Sequence, residues 1–350
     1  ALLAELAFPA GSFRPGQRTL ARRVWRTLSE GGVLFAEAPT GIGKTLGVLY
    51  AALRRLPGLG AERLLYLTPR GSARAPALAA VRSMDPAGAA LRAVELVGRE
   101  RICPWPGTPC RADACERAAG HYDRRRGALA ELLGAGAGAV LGRDRVETVA
   151  TAHRVCPAAL QHDAARFADV VIGDYAYGFD PFARQRGLLD AEEGGAAVLV
   201  DEAHNLAERT RAMHSAVLDR SGLAEARAEA RRLGAPFAPD LAGLLDALDA
   251  AAAEDPAGLL ARLEAVLPVL GRWLAEAPAG PPLARFEALR RTLARFLELG
   301  RLASGERRAA FLWRFDAGAG GRLRLQCLAP APVLAGSLEA LAGLVLFSAT

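Results

Sequence analysis

Between Gln17 and Glu30 the apolar residues Leu20, Val24 and Leu28 recur every four positions, a spacing that predicts an amphipathic helix stopped by Gly31 and Gly32. The next five residues, VLFAE (33–37), predict a buried strand, and after a glycine-rich turn the helical spacing resumes from Lys44 to Leu56. Four more short apolar runs, RLLYLT (63–68), ADVVIGD (168–174), AAVLVDE (196–202) and LVLFSAT (344–350), predict buried parallel strands separated by helices. The core expected is therefore α/β with a parallel sheet.

Two stretches break the pattern. Residues from about 100 to 165 hold clustered cysteines, the proline-rich turns of CPWPGTPC and a glycine-alanine tract, GAGAGAV, that reads as a flexible link. From about 207 to 315 the chain is mostly Ala, Leu, Arg and Glu, interrupted by GAPFAPD and EAPAGPPL, with no convincing strand before FLWRF. The first reads as a cysteine-rich insert and the second as a helical insert whose periodic Leu and Ala positions form a core of its own.

Composition narrows the class. Half of the 350 residues are apolar, yet no apolar run approaches the ~18 residues of a membrane span, so no membrane partner is expected. The opening ALLAELAFPAG lacks the basic region and cleavage pattern of a secretory signal, which predicts a cytoplasmic protein. A net charge of +6 permits a polyanionic partner without requiring one, because the Ala-, Leu-, Gly- and Arg-rich composition also fits mutational bias towards arginine. That bias makes one residue stand out: of the 44 basic residues, Lys44 is the only lysine.

Lys44 sits in APTGIGKT (38–45). Gly41 and Gly43 let the backbone curl so that successive N–H groups, from Thr40 through Ile42 to Lys44, face phosphate oxygens at the start of a helix. Lys44 is placed to reach the β- and γ-phosphates of ATP and Thr45 to bind Mg²⁺. The second half of such a site is VLVDEAH (198–204), in which an apolar strand delivers an acidic pair to its carboxyl end. Asp201 is expected to hold Mg²⁺ through its water shell, and Glu202 to orient and deprotonate the attacking water. His204 suits a relay to the neighbouring strand end, Ser348-Ala349-Thr350.

Four of the five cysteines, Cys103, Cys110, Cys115 and Cys156, cluster; in a reducing compartment such spacing points to metal or cluster ligation rather than disulfides. Four thiolates suit either zinc or a [4Fe-4S] cluster, and spacing does not choose between them. Cys327 differs: in RLRLQCL it alternates with Leu323 and Leu325, as a buried strand residue does. Residues 101–156 carry nine arginines against six acidic residues, including Arg124-Arg125-Arg126 beside Tyr122, a composition able to grip a single strand by phosphate pairing and stacking.

Taken together these segments resemble the XPD/DinG family of superfamily 2 DNA helicases. FRPGQ is similar to the family's adenine-reading segment, with Gln17 as base contact; YLTPR resembles motif Ia, DEAH is motif II and SAT is motif III. CPAALQHDAARFADVVIGDYAYGFDP is similar to the segment joining the last cluster cysteine to a Tyr-x-Tyr turn, whose Tyr175 and Tyr177 are expected to pack in the core. The resemblance implies a RecA-like P-loop NTPase domain over 1–99, 166–206 and 316–350, an Fe-S domain over 100–165 and an Arch-like helical domain over 207–315. It also implies a [4Fe-4S] cluster on the four cysteines, single-stranded DNA or a DNA fork as partner, and 5′ to 3′ translocation by a monomer. Because the chain stops at motif III, it is expected to be the first half of a helicase, lacking a second RecA-like domain and inactive alone. The alternative is a nucleic-acid-binding P-loop module that serves a nuclease or defence complex without unwinding.

Overall fold

In the computed structural model, which describes every residue except 1, 60, 70, 135–137, 190–194, 252–255, 279, 317–320, 339–340 and 350, the first apolar stripe forms helix α1 (Gln17–Glu30). Leu20, Val24 and Leu28 are buried, and Gly31 ends the helix at φ +68°, its N–H returning to the Thr27 carbonyl. A residue without a Cβ makes that left-handed cap at least cost. Arg70 of YLTPR, Thr350 of SAT, residues 135–137 of the glycine-alanine tract and Ala279 of EAPAGPPL lie outside the described residues.

Among the described residues ten strands follow in chain order: β1 (Val33–Glu37), β2 (Arg63–Thr68), β3 (Ala93–Glu95), β4 (Val140–Leu141), β5 (Val170–Asp174), β6 (Ala196–Asp201), β7 (Ala216–Asp219), β8 (Phe311–Asp316), β9 (Arg322–Cys327) and β10 (Gly343–Ser348). The chain divides into two units. Unit 1 comprises Ala1–Pro106, Cys115–Arg209 and Ala335–Thr350; unit 2 comprises Gly107–Ala114 and Thr210–Leu334.

Unit 1 is built on a seven-stranded parallel sheet in the order β1-β10-β6-β2-β5-β3-β4. The fold class is thus α/β. Strands β2, β6 and β10 are buried along their whole length, which is why their sequences read as unbroken apolar runs rather than alternations. Helices α2 (Lys44–Arg55) and α3 (Arg74–Met84) join α1 on one face, where Val24, Val48, Leu53 and Val81 share a core with Leu64, Tyr66 and Phe347. The burial expected for VLFAE fails on one face: β1 is an edge strand flanked by β10 alone, leaving Val33 57% and Phe35 78% exposed.

The cysteine-rich stretch is not a unit by itself. It supplies β4 to the sheet edge, and its helices α4 (His121–Leu133), α5 (Arg143–Ala152) and α6 (Pro157–Ala165) belong to unit 1. The physical tie is Gln161, fully buried on α6, whose side-chain amide accepts from the Val97 N–H at 2.9 Å and donates to the Val97 carbonyl at 2.7 Å, as a neighbouring strand would. Only Gly107–Ala114 leaves for unit 2, where Arg111 donates to the Leu274 and Ala277 carbonyls at 2.6 and 2.7 Å. An arginine there satisfies carbonyls that a helix terminus leaves without partners.

The loop into β3 hangs on one carboxylate. Asp85 Oδ1 accepts from Ala89 N at 3.1 Å, and Oδ2 from Ala90 N and Leu91 N, both at 2.8 Å. Burial pushes this carboxyl up, but the donors from Ala90, Ala89 and Leu91 outweigh it and hold it below the usual carboxylate range. A carboxyl lowered on folding contributes stability that is complete above its unfolded value and lost as pH falls through the folded one. Asp85→Asn is therefore expected to cost about 1–2 kcal/mol at pH 7 and progressively less below pH ~4. Urea midpoints of both proteins between pH 7 and 3 check this; a difference that does not shrink with acid contradicts it.

Unit 2 holds helices α7 (Arg220–Arg232), α8 (Ala238–Ala251), α9 (Pro256–Glu276) and α10 (Pro281–Ser304) beside an antiparallel sheet in the order β7-β9-β8. Leu218, Leu323, Leu325 and Cys327 face the unit's core, as the alternation around Cys327 predicted, and burial pushes the Cys327 thiol up. Strand β9 belongs to unit 2, and its register pairs Leu323 with both Leu218 and Phe315. No helix among the described residues is long and apolar enough to cross a membrane.

Candidate nucleotide site

Three neighbouring strands, β1, β10 and β6, end side by side, with Glu37 opposite Ser348 and Phe347 opposite Asp201. The loop leaving β1 is pinned at its start by the Ala38 N–H donating to the Ser348 carbonyl at 2.9 Å. It then turns through Gly41 at φ +86° and Gly43 at φ +81°, backbone conformations that side chains rarely adopt. At Gly43 a Cβ would also lie 2.5 Å from Gln17 Nε2. Helix α2 starts at Lys44, so its amino end directly follows the exposed to half-exposed loop residues Thr40, Gly41, Ile42 and Gly43.

Gln17 lies against this loop, only 2% exposed. Its amide donates to the Gly43 carbonyl at 2.9 Å and its oxygen accepts from Arg14 N at 3.0 Å. Arg14 adds a second tie, Nη1 donating to the Gly41 carbonyl at 2.6 Å. The amide of Gln17 keeps one N–H and one lone pair beyond these bonds. Lys44 Nζ donates back to the Ala38 and Pro39 carbonyls at 2.9 and 3.3 Å, which holds its ammonium across the loop.

On the other side, both oxygens of Asp201 are engaged: Oδ1 accepts from Glu202 N at 2.9 Å and Oδ2 from the Tyr66 hydroxyl at 2.6 Å. Burial pushes the Asp201 carboxyl up, the Tyr66 bond opposes that, and the neighbouring Glu202 adds to it. Tyr66, on β2 next to β6, is fully buried, and burial with the adjacent Asp201 keeps its phenol protonated and a donor. Thr45, beside Lys44 at the amino end of α2, and Asp201, at the end of β6, are the two residues expected at Mg²⁺. A Mg²⁺ ion that arrives with a nucleotide takes only one or two protein oxygens beside phosphate and water, and this pair fits it.

Glu202 occupies the left-handed region at φ +50°, a conformation that costs a non-glycine residue of order 1 kcal/mol. Tyr175, buried on the turn after β5, holds it there: its hydroxyl lies between the Asp201 and Glu202 carbonyls, 2.8 Å from the latter. The carboxylate is held as well, since Ser348 Oγ donates to Glu202 Oε2 at 3.2 Å. His204 Nδ1 stands 2.6 Å from Ser348 Oγ, while Asn205 Nδ2 donates to its Nε2 at 2.9 Å. Those partners assign the proton to Nδ1 and run the bonds from Asn205 through His204 and Ser348 to Glu202. Tyr66 and Arg14 are site residues that the sequence did not mark, since a tyrosine within a buried apolar run carries the same signal as any core aromatic; Tyr175 is buried, as expected, and its hydroxyl also reaches the acidic pair.

The four clustered cysteines behave differently. Cys103, Cys115 and Cys156 are partly exposed in unit 1, and the exposed Cys110 belongs to unit 2. Thiols outside the apolar core are the right donors for a soft metal centre. As placed they do not fit one: among the described residues no three His, Cys, Asp or Glu side chains come together to hold a metal ion.

A separate cleft of about 900 Å³ opens at the carboxyl ends of β2, β3 and β5, lined among others by Pro69, Arg99, Arg101, Tyr177, Phe182 and Arg209. Tyr177 is buried and Phe182 is 45% exposed. Of the arginine run on α4, Arg124 is spent on the Ala119, His153 and Arg154 carbonyls, whereas Arg125 lies over the ring of the exposed Tyr122 at 5.2 Å.

Residues 110–223 match the DEAD_2 family model. The fold is similar to that of a solved structure described as XPD_Helicase, at 18% identity and TM-score 0.62, covering 97% of this chain and 58% of that one. It is also similar to a "Truncated XPD", at 16% identity and TM-score 0.54, covering 95% of this chain and 92% of that one. A third likeness is to S. tokodaii Xpd4, at 14% identity and TM-score 0.51, covering 96% of this chain and 57% of that one. The chain spans little more than half the length of the first and third of these. No curated protein matches it by sequence.

Proposed function

We propose that this chain, similar in sequence pattern and fold to the N-terminal region of XPD/DinG-like superfamily 2 helicases, is the ATP-binding and water-activating half of a DNA-dependent motor. The observation that carries the proposal is the meeting of three strand ends, which puts the glycine loop and Lys44, the acidic pair of Asp201 and Glu202, and Ser348 around one space.

In this reading the loop amides and Lys44 bind the β- and γ-phosphates, and Gln17 presents its spare N–H and lone pair to the base. Mg²⁺, when bound with the nucleotide, supplies positive charge at the phosphate oxygens. Thr45 and Asp201 are the residues that would hold it. Glu202 Oε1 accepts the proton of the attacking water, while its Oε2 stays fixed by Ser348 and, behind it, His204. The charge that develops on the γ-phosphoryl group needs a cation on its far side, which we assign to a second RecA-like domain. DNA unwinding, with 5′ to 3′ translocation on one strand, then belongs to the complete motor.

Single-stranded DNA is proposed to lie along the cleft at the ends of β2, β3 and β5, where Arg99 and Arg101 can face phosphates and Phe182 a base, while Arg209 is paired with Asp174 at 3.1 Å. A [4Fe-4S] cluster on Cys103, Cys110, Cys115 and Cys156 has the resemblance and the thiol chemistry behind it, with zinc as the other occupant. The placement of those thiols does not support it, and no step above depends on it.

The test uses the 350-residue chain with a fluorescent ATP analogue and a labelled dT oligonucleotide. The chain is expected to bind both, the oligonucleotide less tightly as salt rises. Reversing charge at Arg99 and Arg101 together should weaken oligonucleotide binding at least tenfold and leave the nucleotide affinity within twofold. A chain that binds no nucleotide ends the proposal; oligonucleotide binding that ignores the reversal removes the cleft from it.

A further inference from the structure

Tyr66 does something that neither the glycine loop nor the acidic pair accounts for. Its hydroxyl donates to Asp201 Oδ2 at 2.6 Å, and the direction of that bond is set because a carboxylate can only accept.

We propose that the Tyr66 hydroxyl is a positioning group for Mg²⁺ capture, fixing the plane of the Asp201 carboxylate so that it presents oxygen lone pairs to the incoming ion. A carboxylate free to rotate presents its lone pairs in many directions; Tyr66 on Oδ2 and the Glu202 N–H on Oδ1 hold that of Asp201 against rotation. Outer partners of this kind commonly change metal affinity by roughly 10–100-fold.

Tyr66 is suited to the role by position as much as by chemistry. It lies on β2, whose neighbour in the sheet is β6, with Tyr66 opposite Leu199. Its ring is fully buried, sharing a core with Phe347, whose ring centroid is 6.0 Å away. The ring is thus clamped in the core while the hydroxyl alone reaches the site. A phenylalanine would fill nearly the same volume, so the hydroxyl can be removed with little change in packing.

The inference rests on the nucleotide reading proposed above, and the test separates the two. Binding of a fluorescent ADP analogue to the 350-residue chain is measured in excess Mg²⁺ and again in EDTA, for the wild type and for Tyr66→Phe. The wild type is expected to bind more tightly with Mg²⁺. Tyr66→Phe is expected to lose about tenfold of that gain while its affinity in EDTA stays within twofold of wild type. An unchanged Mg²⁺ gain in the variant overturns the proposal, and so does an equal loss under both conditions, which is what a merely structural residue would give. A wild type that binds no nucleotide defeats the proposed function and this inference together; one that binds but shows no Mg²⁺ gain defeats the inference alone.

Should Tyr66→Phe fail to fold, the wild-type chain labelled with 3-fluorotyrosine gives a second reading. Of its five tyrosine resonances, Tyr66 is assigned by elimination through Tyr→Phe changes at positions 50, 122, 175 and 177. That resonance is expected to shift when Mg²⁺ is added to the ADP-bound chain; a resonance that stays in place counts against the proposal.

Discussion

Lys44→Arg is expected to weaken binding of Mg²⁺–ATP to this chain roughly 10–100-fold, with circular dichroism and melting temperature unchanged. The conservative charge is no protection, because the site constrains shape. Lys44 Nζ already sits within hydrogen-bonding distance of the Ala38 and Pro39 carbonyls, at 2.9 and 3.3 Å, on the inner side of a loop whose glycines at φ +86° and +81° leave room for a compact ammonium. A guanidinium is planar, wider and fixed in its fork, and it cannot turn its donors from loop carbonyls to phosphate oxygens as a tetrahedral ammonium does. A lost hydrogen bond between charged groups is worth about 1.5–3 kcal/mol, from which the range follows. Titration of a fluorescent ATP analogue measures it. Equal affinity in the two proteins would contradict the assignment of Lys44. The composition fits the constraint: in a chain where 43 of 44 basic residues are arginine, the single exception stands on the glycine loop, where a compact ammonium is required by this assignment.

The second large effect concerns stability. Phe237→Ala is expected to destabilise unit 2 by about 3–5 kcal/mol. Phe237 is fully buried at the start of α8, and its ring meets Trp273 of α9 and Phe286 of α10 edge-on, with centroids 5.2 and 5.1 Å apart. Trp273 and Phe286 complete the triangle at 5.3 Å. One ring therefore contacts aromatic side chains of two other helices, and alanine leaves a cavity where each of these edge-to-face contacts, worth roughly 0.5–1.5 kcal/mol, is lost. Trp273 lies beside the lesion, so urea unfolding followed by tryptophan fluorescence should show the shift directly. A loss below about 1 kcal/mol would mean that the helices close over the gap.

The parts of the site that were legible in the sequence are those written in consecutive residues. A strand, a glycine turn and a helix in succession place Lys44 and Thr45, and an apolar strand closing on an acidic pair places Asp201 and Glu202; both follow from local geometry and backbone conformation alone. Cys327 was legible for the same reason, since alternation with Leu323 and Leu325 encodes its face. Strands β3, β4 and β7 were not, because runs of three, two and four residues are too short to show a period.

Gln17 shows a different limit. The resemblance of FRPGQ implied a base contact for it, and its two side-chain bonds go to Gly43 and Arg14, a pairing that depends on where α1 lies against the loop. The exposed face of β1 has the same origin: VLFAE is as apolar as the central strands, and only its place at the sheet edge uncovers Phe35.

By itself, then, the amino-acid sequence determined the α/β class, the glycine loop with its lysine, the acidic pair and the amphipathic face of α1, because burial period, turn chemistry and residue type act over a few neighbouring positions. Only the tertiary structure decided which strands stand side by side. That order brings Tyr66 from β2 to Asp201 across 135 positions of chain and Ser348 from β10 to Glu202 across 146. The physical reason is that a hydrogen bond needs about 3 Å of approach, and sheet order, which sets that approach, is fixed by long-range packing that no local pattern encodes.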